Sequence, residues 1–211
     1  MLRLPQVLAA TTALFFQQPL PTLWLVFASL TVSLLSLGLL AGPMQVGLYR
    51  SLLRRIRQGS WDLGLLWDRA NINAYSIPAG LIFAVLLVAL VVFGRPLGNL
   101  SPLALTAFNF VTGLVLNLLW FYTFQVLADR PQLWIAAMRR GWQLMQKGGW
   151  RAHILLGGLL TLLTLFPTDS VEPFLQILVT IILLSFANLA QTMAYAMVVA
   201  ESSPKDPLDQ Q

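Results

Sequence analysis

Cysteine is absent from this 211-residue chain, histidine occurs once, and charge is scarce. Without cysteine there are no disulfides, thiolate metal sites or cysteine nucleophiles, and nothing to indicate a redox compartment. Charged residues make up 10% of the sequence and hydrophobic ones 57%, against about 25% and 45–50% in soluble domains. One core cannot hide that apolar excess, so the composition points to a bilayer as solvent. A net charge of +5 would suggest nucleic acid in a soluble protein. Here the cations flank apolar runs, so no nucleic-acid partner is expected.

Ionisable groups are also missing from the apolar runs. Thr22–Ala41, Ala74–Phe93, Pro102–Leu127, Arg151–Phe166 and Pro173–Ala200 read as about five membrane spans, since a helix needs about 20 apolar residues to cross. Pro78 falls in the first turns of the second, and Ser101-Pro102 opens the third as N-cap and first helical residue. Leu4–Gln18 is uncharged but short, about 22 Å as a helix, and is expected to lie in the interface. The opening "MLRLPQVLAATTALFF" resembles a signal peptide only faintly; two threonines, Pro5 and the lack of a small-x-small site argue that it is retained. Residues 201–211 read as a disordered polar tail. The expected fold is therefore all-α: a polytopic helical membrane protein with amphipathic interfacial helices.

Ten of the thirteen Lys and Arg residues sit in two loops: Arg50, Arg54, Arg55, Arg57 and Arg69, then Arg130, Arg139, Arg140, Lys147 and Arg151. Two crossings separate these loops, so they share a side, and cationic bias marks that side as cytoplasmic. The C-terminus, two crossings further on, is expected there too. Both loops carry helical periodicity. Over residues 44–58, Leu48, Tyr49, Leu52, Leu53 and Ile56 oppose Arg50, Ser51, Arg54, Arg57 and Gln58, with Arg55 at the boundary. Over 132–147, Trp134, Met138, Gly141, Trp142 and Met145 oppose Gln132, Arg139, Arg140, Gln143, Gln146 and Lys147. Each segment reads as an interfacial helix, with its apolar side in the acyl boundary and its cations toward anionic headgroups. Arg50, Arg54, Arg55, Arg57, Arg139, Arg140, Lys147 and Arg151 are the candidate lipid-surface residues.

A shift of 126 positions superposes "PQVLAA" (Pro5–Ala10) on "PQLWIA" (Pro131–Ala136) and Trp24 on Trp150, a weak internal duplication of a surface helix followed by a span. Further, "LLAGPMQVGLYRSLLRRIRQGSWDLGLLWD" and "LADRPQLWIAAMRRGWQLMQKGGWRAHILL" resemble two hallmarks of the DUF975/YciC-like group of small bacterial multi-spanning proteins of unknown function. That group is itself similar to the membrane domain of some glycerophosphodiester phosphodiesterases. The matching positions are Gly42, Pro43, Gly47, Gly59, Trp67, Asp129, Ala137, Gly141, Trp142, Leu144 and Gly148. The chain departs from the group in lacking phenylalanines after the first basic helix. The resemblance implies a membrane scaffold or regulator of a bacterial cytoplasmic membrane. It brings no catalytic residues.

The residues by themselves offer little chemistry. His153 reads as an interfacial side chain, because a zinc site needs three or four converging ligands. The acids fall in loops or span ends, without a paired arrangement for general acid–base work, and there is no Gly-rich phosphate loop. No enzyme, metal or cofactor is expected. Two polar stripes remain. Asn109 and Asn117 lie with Thr106, Gly113 and Trp120 on one face of the third span; Ser185, Asn188, Gln191, Thr192 and Tyr195 share a face of the fifth. An unpaired amide in hydrocarbon is costly, so the stripes are expected to meet protein or water, chiefly as packing contacts between helices; a homo-oligomer is among the expected partners. Ser29, Ser33, Ser36 and Gly38-x-x-x-Gly42 mark another close-packing face. The expected function is a non-enzymatic membrane scaffold, assembly or regulatory factor acting with other membrane proteins. The competing expectation is a transporter or permease subunit with a polar pathway between spans three and five.

Overall fold

The structure is a computed structural model that describes residues 2–164 and 172–202. All regular structure among them is helical: α1 Leu4–Gln17, α2 Pro19–Leu35, α3 Ala41–Gln58, α4 Ser76–Leu100, α5 Pro102–Trp120, α6 Thr123–Asp129, α7 Trp134–Gly148, α8 Trp150–Thr164 and α9 Pro173–Ser202. Two 3₁₀ turns, Leu63–Trp67 and Arg69–Asn71, join α3 to α4.

The breaks follow local chemistry. Pro19 removes a donor and pushes Gln18 out of helical geometry, and α1 and α2 meet at 95°. After α2, Leu37 (φ 53°) and Gly38 (φ 85°) reverse the chain. Ser36 steadies that turn, its Oγ accepting from Leu40 N at 3.0 Å. Gly59 closes α3 in the left-handed conformation (φ 72°), the usual glycine C-terminus. Ser101 caps α5, its Oγ accepting from Ala104 N at 3.4 Å.

Three helical segments are long and apolar enough to cross a membrane: Ser76–Gly94, Leu103–Asp129 and Phe174–Glu201. The bent α1–α2 pair would make a fourth if it counted as one span, and Trp150–Leu163 is a shorter apolar helix. The reading of about five spans is thus realised as three, or up to four. Thr22–Ala41 is not one helix: α2 stops at Leu35 and α3 takes over at Ala41. Residues 165–171 and 203–211 lie outside the described residues. The expected end of the fourth span, Asp169 and most of the expected disordered tail fall there, while Glu201 and Ser202 extend α9.

The largest departure concerns α3. Its apolar side was expected in the acyl boundary. Instead Leu48, Tyr49, Leu52 and Leu53 are buried against protein, because α2, α4, α6, α9 and the first 3₁₀ turn surround the helix. Backbone contact makes this possible. A Cβ on Gly42 would lie 1.8 Å from Ser76 O, and one on Gly80 2.0 Å from Gly42 N. α3 and α4 therefore cross backbone to backbone at this glycine pair, the kind of approach only glycine permits.

α1 likewise packs on α9 and not on a surface alone: Phe15 meets Phe186 edge-on, and Leu2 N donates to Gly148 O at 2.9 Å. α7 buries Ala137, Gly141, Leu144, Met145 and Gly148, a stripe displaced from the expected apolar face toward its small residues. Gly141 abuts Tyr122, and Gly148 abuts His153 and Val198. Trp142, on the expected apolar face, stays 40% exposed. Meanwhile Val85, Val88, Val92 and Phe93 of α4, Val111 and Val115 of α5, Leu155 of α8 and Phe174 and Ile177 of α9 point outward. Large exposed apolar surface of this kind is rare on soluble monomers.

Candidate functional site: an amide-lined cavity and a charge-paired face

The two polar stripes converge, and α3 joins them. Gln191 Nε2 donates to Asn117 Oδ1 at 2.6 Å, and Asn117 Nδ2 donates to Thr161 Oγ1 of α8 at 3.4 Å. From α3, Tyr49 Oη lies 2.7 Å from Asn188 Oδ1 and 3.2 Å from Gln191 Oε1. One phenolic proton serves one oxygen, and the shorter contact takes it. Turning the Gln191 and Asn117 amides over lets Gln191 donate to Tyr49 and Asn117 donate to Gln191, an assignment that satisfies the chain in order. Four helices are thereby tied by one string of hydrogen bonds.

The remaining members of the stripes divide. Ser185 and Thr192 donate to their own helix, at Ile181 O (2.7 Å) and Asn188 O (2.6 Å), so neither joins helices. Tyr195 leaves the stripe and donates to Asp129 Oδ2 at 2.7 Å. Asn109 makes no side-chain hydrogen bond among the described residues; it lines a cavity of about 580 Å³. This cavity sits among α2, α3, α4, α5 and α9, with Phe124 of α6 and Thr161 of α8 at its edge. Its polar lining is Ser29, Gln45, Tyr49, Asn109, Thr112, Asn117, Trp120, Thr161, Asn188 and Gln191; its apolar lining includes Phe83, Leu87, Leu90, Val91, Leu116 and Leu184. Two lining residues, Ser29 and Trp120, each hold a buried polar atom, Oγ and Nε1, that has no hydrogen-bond partner among the described residues. The volume and the mix of apolar wall with a few polar groups are those of ligand sites, about 300–1,000 Å³.

At one end of α3 a second recess, of about 430 Å³, is lined by Arg50, Arg54, Arg57, Gln58 and Asp129. The three arginines were expected to face headgroups. Each meets an acid of this chain instead. Arg57 grips Asp129 with both terminal nitrogens, at 2.6 and 2.8 Å, the bidentate geometry that makes such pairs strong. The Asp129 carboxylate holds the Arg57 guanidinium charge even more firmly than usual, raising its pKa. Arg50 donates to Asp68 Oδ2 at 2.8 Å and to Asn71 Oδ1 at 2.9 Å, and Arg54 pairs with Asp62. The Ala70 N–H and then Arg50 lower the Asp68 pKa. Arg55 donates to Gly59 O and lies 5.8 Å from the Trp61 ring centre. By contrast Arg139, Arg140, Lys147 and Arg151 form no ion pair among the described residues.

His153 is not interfacial. It is fully buried, with Nδ1 2.8 Å from Gly149 O and Nε2 2.8 Å from Tyr122 Oη. The Gly149 contact fixes the proton on Nδ1, so Nε2 accepts from the Tyr122 hydroxyl. Sequence reasoning counted Tyr49 with an apolar helix face and passed over Gln45. Their spacing of four on an otherwise apolar stripe was the available signal. Among the resemblance positions, Gly42, Gly47, Gly141 and Gly148 are close approaches, Gly59 is a chain reversal, and Asp129 joins α3, α6 and α9. Comparison with family models, curated proteins and solved structures finds no match.

Proposed function

We propose that this chain is an integral membrane protein of a bacterial cytoplasmic membrane that binds a small molecule inside its helical bundle, as a carrier or permease component does. The observation that carries this reading is the cavity of about 580 Å³ into which Gln45 and Asn109 present amides that bond to nothing else described. An amide left unpaired in an apolar surround costs about 1–3 kcal/mol. A site that keeps two of them, with an unbonded indole N–H and hydroxyl beside them, is built for an occupant that completes their bonds. The lining holds amides, hydroxyls and an indole, groups that bind and orient. The proposal is accordingly a binding protein and not an enzyme.

The proposed arrangement has four crossings, α4, α5–α6, α8 and α9, with α2 and α3 as a hairpin that enters and leaves on one side. Support comes from Trp61 Nε1, just beyond α3, which donates to Gln18 Oε1, just before α2, at 2.6 Å. Both basic segments and both chain ends then share the cytoplasmic side, in accord with the positive-inside bias. Arg139, Arg140, Lys147 and Arg151 are the proposed contacts to anionic headgroups, each worth about 1 kcal/mol near such a surface.

A scaffold or assembly role, in the manner of the DUF975/YciC-like proteins, is the second reading. It is favoured by the Tyr49–Asn188–Gln191–Asn117 string, which is what packed interhelical contacts look like. Native mass spectrometry of protein released from gentle detergent separates the two. Wild-type protein is expected to retain one small molecule, and Thr112→Phe, which fills the cavity, to lose it while remaining folded. Wild type that carries nothing, equal in ligand content to Thr112→Phe, returns the scaffold to first place.

A further inference from the structure

The cavity also limits the chemistry of what enters it. We infer that its ligand is an uncharged lipid whose head carries carbonyl or ether oxygens, held by Trp120, Asn109 and Gln45; this rests on the reading of the cavity as a binding site.

Three observations lead there. First, none of the lining side chains carries a charge at neutral pH, and the nearby arginines of α3 line the other recess, paired with acids. A phosphate or ammonium head would enter a low-dielectric site with no opposite charge, at a cost of several kcal/mol. Second, the unspent groups need acceptors. Trp120 is buried, its indole donates only, and its Nε1 has no partner. The hydroxyl of Ser29, 1% exposed, is likewise unbonded. Asn109 and Gln45 can each donate two hydrogens. An oxygen-bearing head offers acceptors to these N–H and O–H groups, whereas a bare hydrocarbon offers none. Third, the entrance faces the apolar exterior. Leu87 and Val91 both line the cavity and are about half exposed on α4, whose apolar stretch has a mean hydropathy of 2.8. A ligand arriving past these residues comes out of the bilayer, with its chain left against Phe83, Leu90 and Leu116.

The test uses the full-length protein in detergent, with Thr112→Cys as the sole cysteine. Thr112 lines the cavity and its hydroxyl bonds only within α5, so the change touches no group assigned to the ligand. Labelling by a small permeant maleimide is followed with dioctanoylglycerol or with the phosphatidic acid of the same chains. Dioctanoylglycerol is expected to slow labelling in a saturable manner and phosphatidic acid to leave it unchanged. Asn109→Leu should weaken that protection about fivefold, the loss of one net hydrogen bond, and Trp120→Phe should do the same. Asn109→Leu carries the test if Trp120→Phe does not fold. Equal protection by both lipids, protection by phosphatidic acid alone, or protection by neither overturns the ligand class. A cysteine that never reacts, ligand or not, means a closed cavity and overturns the binding reading itself.

Discussion

The two basic helices, α3 and α7, read as near twins in the sequence, and the fold treats them as opposites. α3 is enclosed by the bundle, ringed by α2, α4, α6 and α9, and three of its arginines are neutralised by Asp68, Asp62 and Asp129. α7 lies at the edge. It buries a stripe of small residues on Tyr122 and His153 and leaves Arg139, Arg140 and Lys147 without an acid among the described residues. The difference teaches that amphipathic periodicity specifies a face without naming what covers it. Protein interior and lipid tails are equally apolar, so both accept the same side of a helix. What separates the two cases is whether acids from elsewhere in the chain reach the polar side.

The sharpest way to break the comparison is Gly42→Ala. The new Cβ would fall 1.8 Å from Ser76 O and 2.9 Å from Gly80 N, backbone atoms that cannot swing aside. Separating α3 from α4 is expected to cost on the order of 3 kcal/mol, read as a large fall in thermal stability in detergent or loss of monodisperse protein. The matching change in α7, Gly141→Ala, meets Tyr122 Cβ at 3.3 Å and should be tolerated within about 1 kcal/mol. Equal sensitivity at both glycines would erase the distinction between a central and a peripheral helix.

A smaller effect is expected from the charges. Asp129→Asn removes the charge that pairs with Arg57 and leaves one acceptor oxygen for the Arg57 and Tyr195 donors together. The pair is partly exposed, with side-chain exposures of 41% and 22%, so the loss should be about 1–2 kcal/mol, below that of a fully buried pair. Arg57→Gln in the same background should add little more, a coupling that a double-mutant cycle measures. Arg139→Gln with Arg140→Gln should leave stability within about 0.5 kcal/mol yet reduce retention of anionic lipid during purification. Destabilisation by the α7 pair as large as by Asp129→Asn would mean that α7 is held by its charges as well.

The smallest effect is a pH dependence confined to the α3 side. The folded-state pKa of Asp68 is lowered by Ala70 N–H and Arg50. Its contribution is therefore fully present above the ordinary carboxylate pKa and disappears as pH falls through the lowered folded value. Asp68→Asn should flatten the acid limb of the stability profile a little, measured by unfolding between about pH 5 and pH 2. Changes in Arg139 and Arg140 should leave that limb as it is, and an unaltered limb in Asp68→Asn would remove Asp68 from the account.

Much of the fold was legible before any coordinates. Uninterrupted apolar runs located α4, α5 and α9, and Ser101-Pro102 marked where α5 begins. Gly38 and Gly42 were recognisable as close-packing residues, though Gly80 as the partner of Gly42 was not, since nothing local distinguishes it from other glycines in apolar runs. Asn109, Asn117, Asn188 and Gln191 were legible as groups that hydrocarbon could not satisfy. Which of them would pair was not, because Asn117 and Gln191 lie 74 residues apart. Tyr49 and Gln45 were hidden by the surrounding leucines.

The sequence by itself determined that this chain is helical, that several of its segments avoid water, and that its cations gather in two places. Those properties follow from composition and from the 3.6-residue period, which act over one or two turns of helix. Only the tertiary structure decided that α3 is interior and α7 peripheral, that Arg57 belongs to Asp129 from 72 positions away, and that a cavity remains where Asn109 and Gln45 find no partner among the described residues. These outcomes depend on how closely helices approach, and that distance is set jointly by residues far apart in the chain, such as Gly42 and Gly80, whose missing side chains let two backbones touch.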